Sequence, residues 1–147
     1  MDEGLIEMHA ALAILIRTKE GKQEVLLQHR SATAKKMRGL WGLFGGRLEV
    51  GEPAEHALRR ELLEELEFEV GECFPYYKRY AEVDGYAGTL HAFIVLVDAG
   101  VNLVQHEGQG MEWVDMDAID FEKHPTHESH RQALEAGIAY YRSRLIA

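Results

Sequence analysis

The chain has 147 residues, 46% of them hydrophobic, which is enough for the core of one domain, and we expect that domain to span residues 1–147. A formal net charge of −9 argues against nucleic-acid binding through a basic surface, and it repels anionic phosphates unless cations intervene. The single cysteine, Cys73, excludes an internal disulfide, the N-terminus lacks the positive charge of a signal peptide, and the apolar run 10–16 is too short to span a membrane. We therefore expect a cytoplasmic protein that has neither nucleic acid nor membrane as a partner.

The first part of the chain predicts two paired strands and a basic loop. Residues His9–Arg17 are apolar almost without interruption, which is typical of a central strand buried on both faces. Residues Glu24–Arg30 predict a second strand, antiparallel to the first and joined to it by a turn at Glu20–Lys22. The following loop, Ser31–Arg38, is basic in an otherwise acidic chain, so its cations either attract an anionic ligand or serve solubility alone.

A glycine-rich stretch, residues 39–46, leads into the centre of the chain. It ends in two glycines, Gly45 and Gly46, which allow other groups to approach the backbone closely. We expect Trp41 and Phe44 to belong to the core, and a platform for base stacking is the alternative.

Residues Pro53–Leu66 predict a helix, because good helix formers follow a proline that suits the first helical position. On a 3.6-residue period one face of this helix is apolar. Its members are Ala54, Ala57, Leu58, Leu62 and Leu66. Glu52 directly precedes the proline, so its carboxylate can cap the helix start.

A second face of the same helix gathers three carboxylates. Glu61, Glu64 and Glu65 lie at i, i+3 and i+4, where like charges repel by a few tenths of a kcal/mol per pair. Arg60 can reach Glu64 at i+4 and offsets part of this repulsion. The cluster is either a solvated acidic face or a site for a hard divalent cation, since Mg²⁺ and Mn²⁺ prefer carboxylate oxygens.

Residues 46–68 resemble the signature of the Nudix hydrolases. That signature runs glycine, five residues, glutamate, seven residues, and then Arg-Glu-apolar-any-Glu-Glu-any-Gly-apolar. Eight of the nine specified positions agree here. They are Gly46, Glu52, Arg60, Glu61, Leu62, Glu64, Glu65 and Phe68.

The ninth position is Glu67, which stands where the signature has glycine. Glycine just past a helix commonly adopts the left-handed conformation, which costs another residue about 1 kcal/mol or more. We therefore predict a modified helix exit, with Gly71 as the alternative turning point, and an intact metal site.

The resemblance implies a site for Mg²⁺ or Mn²⁺ and roles for individual residues. The metal ligands are the carbonyl oxygen of Gly45 and the carboxylates of Glu61, Glu64 and Glu65. Arg60 orients these acids through charge-assisted pairs. Either Glu61 or Glu107 could deprotonate the attacking water, and Glu64→Gln is expected to abolish turnover without unfolding the chain.

Substrate contacts are implied at three further positions. Arg30 closes its strand, where family members often bind substrate phosphate, although a solvated strand end would explain it equally well. Gly46 offers its backbone to the substrate, and Arg38 could attract the anionic tail.

The second half of the chain predicts a long hairpin, a loop and a last strand. Residues Glu69–Val83 and Thr89–Asp98 form the hairpin around a turn at 84–85, and residues 112–114 form the last strand. The loop before that strand, 105–111, resembles the loop of mutator-type Nudix enzymes that cleave nucleoside triphosphates. Glu107 is accordingly a candidate carboxylate on the opposite wall of the cleft, and an exposed loop glutamate is the alternative.

Three histidines near the C-terminus, His124, His127 and His130, invite a zinc interpretation that we do not favour, because this spacing does not bring three imidazoles to one point. Thr126 is a plausible N-cap of a closing structural helix. Its apolar stripe consists of Leu134, Ile138, Tyr141 and Leu145.

Together these elements predict an α+β fold with a mixed, mostly antiparallel sheet between helices, which by resemblance is the Nudix-type α/β/α sandwich. The implied reaction is metal-dependent hydrolysis of a nucleoside diphosphate linked to another group, and the Glu107 loop favours nucleoside triphosphates, including oxidised or non-standard ones. Dinucleoside polyphosphates or nucleotide sugars are the alternative, supported by Tyr86 eighteen residues past the signature. A non-catalytic nucleotide sensor is the third hypothesis. The partner is a small nucleotide, and the protein is a possible homodimer.

Overall fold

In the computed structural model, which describes residues 4–146, one mixed sheet is covered by a helix on each side. The strands are β1 (Ile6–Glu7), β2 (Ala10–Lys19), β3 (Lys22–His29), β4 (Trp41–Gly42), β5 (Phe44–Arg47), β6 (Cys73–Val83), β7 (Tyr86–Leu96) and β8 (Gly110–Asp115). Helix α1 (Ala54–Leu66) lies between β5 and β6 in the chain. Helix α2 (Glu128–Tyr140) closes the fold and continues as a π-helical turn, Tyr141–Leu145.

Strand β2 is the centre of the sheet, as its apolar sequence predicted. It pairs antiparallel with β3 and β5 and parallel with β7. The pairs β3–β4, β3–β8 and β6–β7 are antiparallel, and β1 runs parallel to β7. Because most pairings are antiparallel, the predicted mixed, mostly antiparallel sheet is confirmed.

Two cores form because successive side chains of β2 point to opposite faces of the sheet. Leu12, Ile14 and Ile16 join the core beneath α2. Ala11, Ala13 and Leu15 join the core beneath α1, where small side chains let the helix approach closely. Each fully buried leucine or isoleucine contributes about 1.5–3 kcal/mol relative to an exposed one. The α+β sandwich predicted from the sequence is thereby confirmed.

Strand ends differ from the sequence prediction where side chains compete for the backbone. β6 begins at Cys73 rather than Glu69, because the guanidinium of Arg59 on α1 donates to the carbonyl oxygens of Val70 and Gly71. β7 begins at Tyr86, since the 84–85 turn is tight, with φ values of 48° and 85°. Positive φ at both central residues matches the right-handed twist of the hairpin strands.

The helix ends bring three corrections. Pro53 is the N-cap of α1 and not its first helical residue, and no side chain caps this helix, so the capping role predicted for Glu52 is wrong. The N-cap of α2 is His127 instead of Thr126, with its Nδ1 accepting from the backbone N–H of Ser129. The third correction concerns the exit of α1 at Glu67.

The exit of α1 keeps the geometry that the signature glycine would give. Glu67 adopts the left-handed conformation, with φ 52° and ψ 37°, so the chain turns at Glu67 and not at Gly71. The N–H groups of Glu67 and Phe68 donate to the carbonyls of Leu63 and Leu62. These bonds satisfy the carbonyl groups at the helix end. The predicted modified exit is wrong, because local hydrogen bonds hold the glutamate in the strained conformation.

Within residues 4–146, neither helix is long and apolar enough to cross a membrane.

Candidate active site

A cavity of about 270 Å³ opens at the edge of the sheet, between the two helices. Acidic residues Glu61 and Glu107 line it together with the basic residues Arg30, Lys36 and Arg47. The remaining wall is largely apolar and includes Met8, Leu12, Leu43, Leu90 and the ring of Tyr86. A pocket in which charged groups of both signs converge beside apolar side chains is typical of a small-molecule site.

Arg60 is the centre of a charge network on α1. Its Nε and Nη2 donate to the two carboxylate oxygens of Glu52 at 3.0 and 2.8 Å, which is a bidentate pair. Its Nη1 donates to Glu61 at 2.8 Å and lies 3.7 Å from Glu64. The hydrogen bonds from Arg60 and from the backbone N–H of Glu49 lower the pKa of Glu52. Arg60 thus fixes Glu61 at the cavity, and Glu52 fixes Arg60.

Glu65, from the same helix, is in the opposite situation. Its side chain is buried, with a relative exposure of 1%, and its Oε1 has no hydrogen-bond partner among residues 4–146. Burial, followed by the negative charges of Glu107 and Glu61, raises the pKa of Glu65 to about 9. A buried acceptor without a partner costs about 1–3 kcal/mol, and a cation at Oε1 would satisfy it.

Two glycines shape the backbone beside these acids. Gly45 has φ 147°, and a Cβ there would overlap the carbonyl oxygen of Ala11 on the neighbouring strand β2. A Cβ on Gly46 would overlap the carboxylate of Glu61. Gly45 therefore excludes every residue with a side chain, whereas a side chain at position 46 would displace the Glu61 carboxylate, because the backbone of β5 lies directly against it.

The loop residues 31–40 form the basic side of the cavity. The backbone N–H of Met37 donates to Asp84 at 2.7 Å, which ties this loop to the β6–β7 turn. Arg30 donates from Nε to the carbonyl of Lys36 at 3.0 Å. Burial and the charges of Arg30 and Arg47 lower the pKa of Lys36 to about 8, and its Nζ lies 5.4 Å from the ring centre of Tyr86. Phosphate groups entering here would meet cations that are partly stripped of water.

Glu107 lines the same cavity as Glu61, and its negative charge acts on Glu65, while its role stays a prediction. Its carbonyl oxygen accepts a hydrogen bond from Gln28 at 3.3 Å, which attaches the loop to β3. The backbone N–H of His106 also donates to the carbonyl oxygen of Glu65 at 2.8 Å. The loop and the helix end are therefore held together, and Glu61, Glu65 and Glu107 form one acidic group that we call the acidic wall.

Four predicted site residues are not part of the cavity lining, namely Arg60, Glu64, Glu65 and Arg38. Two of them, Glu64 and Arg38, are exposed. The side chain of Glu64 is 61% exposed and lies on the outer side of Arg60. Arg38 is exposed and donates to the carbonyl oxygen of Ala34 within its own loop. The sequence placed both near the substrate, and their roles stay predictions.

The three C-terminal histidines have three separate partners. His124 pairs with Glu112, and its ring lies edge-on to Trp41. His127 caps α2, and His130 accepts a hydrogen bond from the backbone N–H of Leu43. They do not meet at one point, as the sequence analysis expected. Phe44 is fully buried, and Trp41 packs against the α2-side core with its ring stacked on His29, which agrees with their predicted core role.

The acidic wall fits a hard divalent cation, because all the potential ligand atoms of its side chains are carboxylate oxygens. One of them, Oε1 of Glu65, has no hydrogen-bond partner among residues 4–146. In the described part of the chain, however, no three histidine, cysteine, aspartate or glutamate side chains already form a set that could hold a metal ion. Arg60 donates a hydrogen bond to Glu61, and the side chain of Glu64 is turned to solvent. Residues that could hold a metal after local rearrangement are Gly45, Glu61, Glu64, Glu65 and Glu107.

Comparison with known proteins decides the family. The NUDIX domain family model matches residues 7–136, which is most of the chain. The chain belongs to the Nudix family. The CTP pyrophosphohydrolase of Escherichia coli (strain K12) is 39% identical over 111 residues, covering 74% of this chain and 75% of that protein. This Nudix protein is a hydrolase that cleaves a pyrophosphate linkage in nucleoside diphosphate derivatives.

Solved structures agree with the Nudix fold. The solution structure of the Escherichia coli ORF135 protein has a TM-score of 0.72 and 28% identity, and covers 100% of this chain and 99% of that one. The MutT protein of Methanosarcina mazei Go1 has a TM-score of 0.79 over 97% of this chain and 100% of that one. At 17% identity this second likeness concerns the fold alone.

Sequence analysis missed part of the cavity. Met8, Lys36, Ser129 and His130 all line it. The sequence context of Met8, Ser129 and His130 gave no sign of this. These four residues come from three separate segments that only the folded sheet brings together. The basic composition of the 31–38 loop was the one signal available, and it pointed to Lys36 among other cations.

Proposed function

We propose that this Nudix hydrolase cleaves nucleoside triphosphates to the nucleoside monophosphate and pyrophosphate in the presence of Mg²⁺ or Mn²⁺. The observation that carries the proposal is the acidic wall itself, in which a buried carboxyl oxygen without a partner lies beside two further carboxylates. This wall shares its cavity with Arg30 and Lys36, which suit an anionic phosphate chain.

In this proposal the protein residues act mainly by positioning and by offsetting charge. Divalent ions, when bound, supply charge neutralisation at non-bridging phosphate oxygens and activation of water. Glu61, Glu64, Glu65 and the carbonyl oxygen of Gly45 hold the ions, and Arg60 orients Glu61. Glu61 or Glu107 accepts the proton of the attacking water.

The substrate's phosphate chain is bound on the basic side of the cavity. Arg30 pairs with it from the end of β3, and Lys36 adds a second cation. The backbone at Gly46 allows the chain to approach the acids without a side chain intervening. Arg38, on the exposed part of the loop, acts at a distance by attracting anions.

Cytidine triphosphate is the first substrate to test, because the Escherichia coli relative is named CTP pyrophosphohydrolase. A second candidate class is dinucleoside polyphosphates, which Tyr86 favours, since its ring forms part of the cavity wall beside Lys36. An aromatic ring next to a cation could stack on a second base while the cation holds phosphate.

The test is a panel of the four common nucleoside triphosphates, oxidised triphosphates, dinucleoside polyphosphates and nucleotide sugars, with Mg²⁺ or with chelator. We expect metal-dependent cleavage of triphosphates to monophosphate and pyrophosphate, identified by chromatography. Release of a single phosphate would contradict the proposed bond cleavage. Binding without turnover of any member would favour the sensor hypothesis.

A further inference from the structure

His130, at the start of α2, is held in one orientation by the backbone of another segment. Its side chain is buried, with 4% relative exposure, and its Nδ1 accepts a hydrogen bond from the N–H of Leu43 at 3.0 Å. The neighbouring position has no side chain, and a Cβ on Gly42 would lie 2.8 Å from Nδ1. The ring therefore fits against a backbone that leaves room only for glycine.

This hydrogen bond fixes the tautomer of the ring. A nitrogen that accepts from N–H carries no proton, so the proton of the neutral imidazole is on Nε2. Burial, followed by the positive charges of Arg30, His127 and Lys36, lowers the pKa of His130 to about 3. At neutral pH the ring is thus neutral, and Nε2 can only donate.

The donor at Nε2 is available to a ligand. Among residues 4–146, Nε2 has no hydrogen-bond partner. The side-chain atoms in this range that are both inaccessible to solvent and without a partner are Glu65 Oε1 and His124 Nδ1, and Nε2 of His130 is not among them. Nε2 is therefore accessible from outside the protein, and the ring lines the cavity.

The ring and the acidic wall belong to different sides of the cavity. The acidic wall comes from α1 and the 105–111 loop, whereas His130 comes from α2 on the opposite face of the sheet. Leu12, Leu43 and Leu90 line the cavity and belong to the α2-side core or pack against it. A ligand with its phosphates at the acidic wall would extend its base along this apolar surface.

We propose that His130 determines which nucleobase is accepted, because its Nε2–H donates a hydrogen bond to an acceptor atom of the base. A carbonyl oxygen or an unprotonated ring nitrogen satisfies this donor, and an amino or N–H group at the same point does not. Cytosine presents two such acceptors side by side, a carbonyl oxygen and a ring nitrogen. This inference rests on the proposed function, since it concerns the base of the same nucleotide.

Two variants separate recognition from the structural role of the ring. In His130→Asn the amide oxygen replaces Nδ1 as the acceptor for Leu43, and the donor at Nε2 is lost. In His130→Gln the amide NH₂ takes the place of Nε2, and the acceptor for Leu43 is lost. We expect His130→Asn to have the higher melting temperature of the two variants. We expect His130→Gln to keep more of the base recognition.

The experiment is calorimetric binding of CMP, UMP, AMP, GMP and ribose 5-phosphate to the full chain with chelator present. We expect the preferred monophosphate to bind wild type at least about tenfold more tightly than ribose 5-phosphate, a factor typical of one hydrogen bond to a buried group. His130→Asn should lose this advantage and leave ribose 5-phosphate binding unchanged, whereas His130→Gln should retain the order of the bases.

Unchanged base preference in a folded His130→Asn variant would overturn the inference. If that variant does not fold, loss of the base order in His130→Gln would overturn it equally. Binding is measured without metal and without turnover, so failure of base recognition here is distinguishable from failure of triphosphate hydrolysis in the substrate panel.

Discussion

The two ends of the cavity treat a buried polar group in opposite ways. At the acidic wall, Glu65 is sealed from water with its Oε1 unpartnered within residues 4–146, and the negative charges of Glu107 and Glu61 outweigh the positive charge of Arg30. At the α2 end, His130 is equally buried, but its Nδ1 is satisfied by the backbone and its ring is neutral. The first arrangement destabilises the isolated protein, whereas the second stabilises one ring orientation.

This difference indicates what each end requires from a ligand. An unsatisfied buried carboxyl group gains most from a cation, which would remove both the repulsion and the missing contact. A satisfied ring with one remaining donor gains only a directional hydrogen bond. The acidic wall is therefore suited to bind charge strongly, and the α2 end is suited to discriminate between uncharged groups.

The largest expected effect follows from Glu65→Gln, which keeps the shape of the side chain and replaces an ion ligand by an amide. We expect kcat to fall by about 100-fold or more, because one ion ligand is lost, while thermal stability without metal stays close to wild type, since a pKa of about 9 already leaves the buried Glu65 carboxyl group uncharged at neutral pH. Steady-state kinetics and thermal unfolding check both effects. Glu55→Gln on the first turn of α1, an exposed residue paired with Arg59, is the matched control and should leave kcat unchanged. Full activity of Glu65→Gln would show that Glu65 of the acidic wall has no part in the reaction.

The pH dependence of stability tests the α2 end. The pKa of His130 falls from 6.5 in the unfolded chain to about 3 in the folded one, so the unfolded state binds a proton first as the pH falls. The neutral ring therefore contributes its full stabilisation to the free energy of unfolding above about pH 6.5. This contribution is lost as the pH falls, and the loss reaches about 3 kcal/mol at pH 4.5. Denaturant titrations between pH 7 and pH 4.5 should show a steeper loss for wild type than for His130→Asn. Parallel curves would mean that the ring is not held neutral.

A smaller effect is expected from Gly46→Ala, a substitution beside the acidic wall. The new methyl group would displace the carboxylate of Glu61, and we expect kcat/KM to fall about tenfold with the fold retained. Gly71→Ala is the control, because a Cβ there meets no atom within 4 Å. Equal activity of the two variants would show that the position of Glu61 does not limit the reaction.

The smallest effect is expected from Glu67→Gly, which restores the signature residue. Relief of the left-handed glutamate should raise the free energy of unfolding by up to about 1 kcal/mol, offset in part by loss of the exposed pair with His106 at 2.5 Å. Because Glu67 does not line the cavity, kcat should stay within about twofold of wild type. A large loss of activity would show that the helix exit supports the acidic wall more directly than its contacts indicate.

The sequence predicted local features better than distant ones. The central strand, the α1 helix and the β6–β7 turn follow from hydrophobic periodicity, proline position and turn residues, which act over a few neighbours. The exit at Glu67 was not predictable from conformational preference alone, because helix-end hydrogen bonds outweigh a penalty of about 1 kcal/mol.

The site divides in the same manner. Glu61 and Glu65 belong to one helix turn, so their spacing could be read directly, and Glu107 came from a family resemblance. The burial of Glu65 was not visible in a run of charged residues, since it depends on the loop 105–111 covering the helix end. The place of His130 in the cavity depends on a backbone contact 87 residues away in the chain, which periodicity cannot supply.

Mn²⁺ binding measured by electron paramagnetic resonance shows whether the acidic wall binds a divalent cation. We expect wild type and Glu55→Gln to bind Mn²⁺ with the same dissociation constant and Glu65→Gln to bind it at least about tenfold more weakly. Equal Mn²⁺ affinity in wild type and Glu65→Gln would mean that the acidic wall is not the cation site.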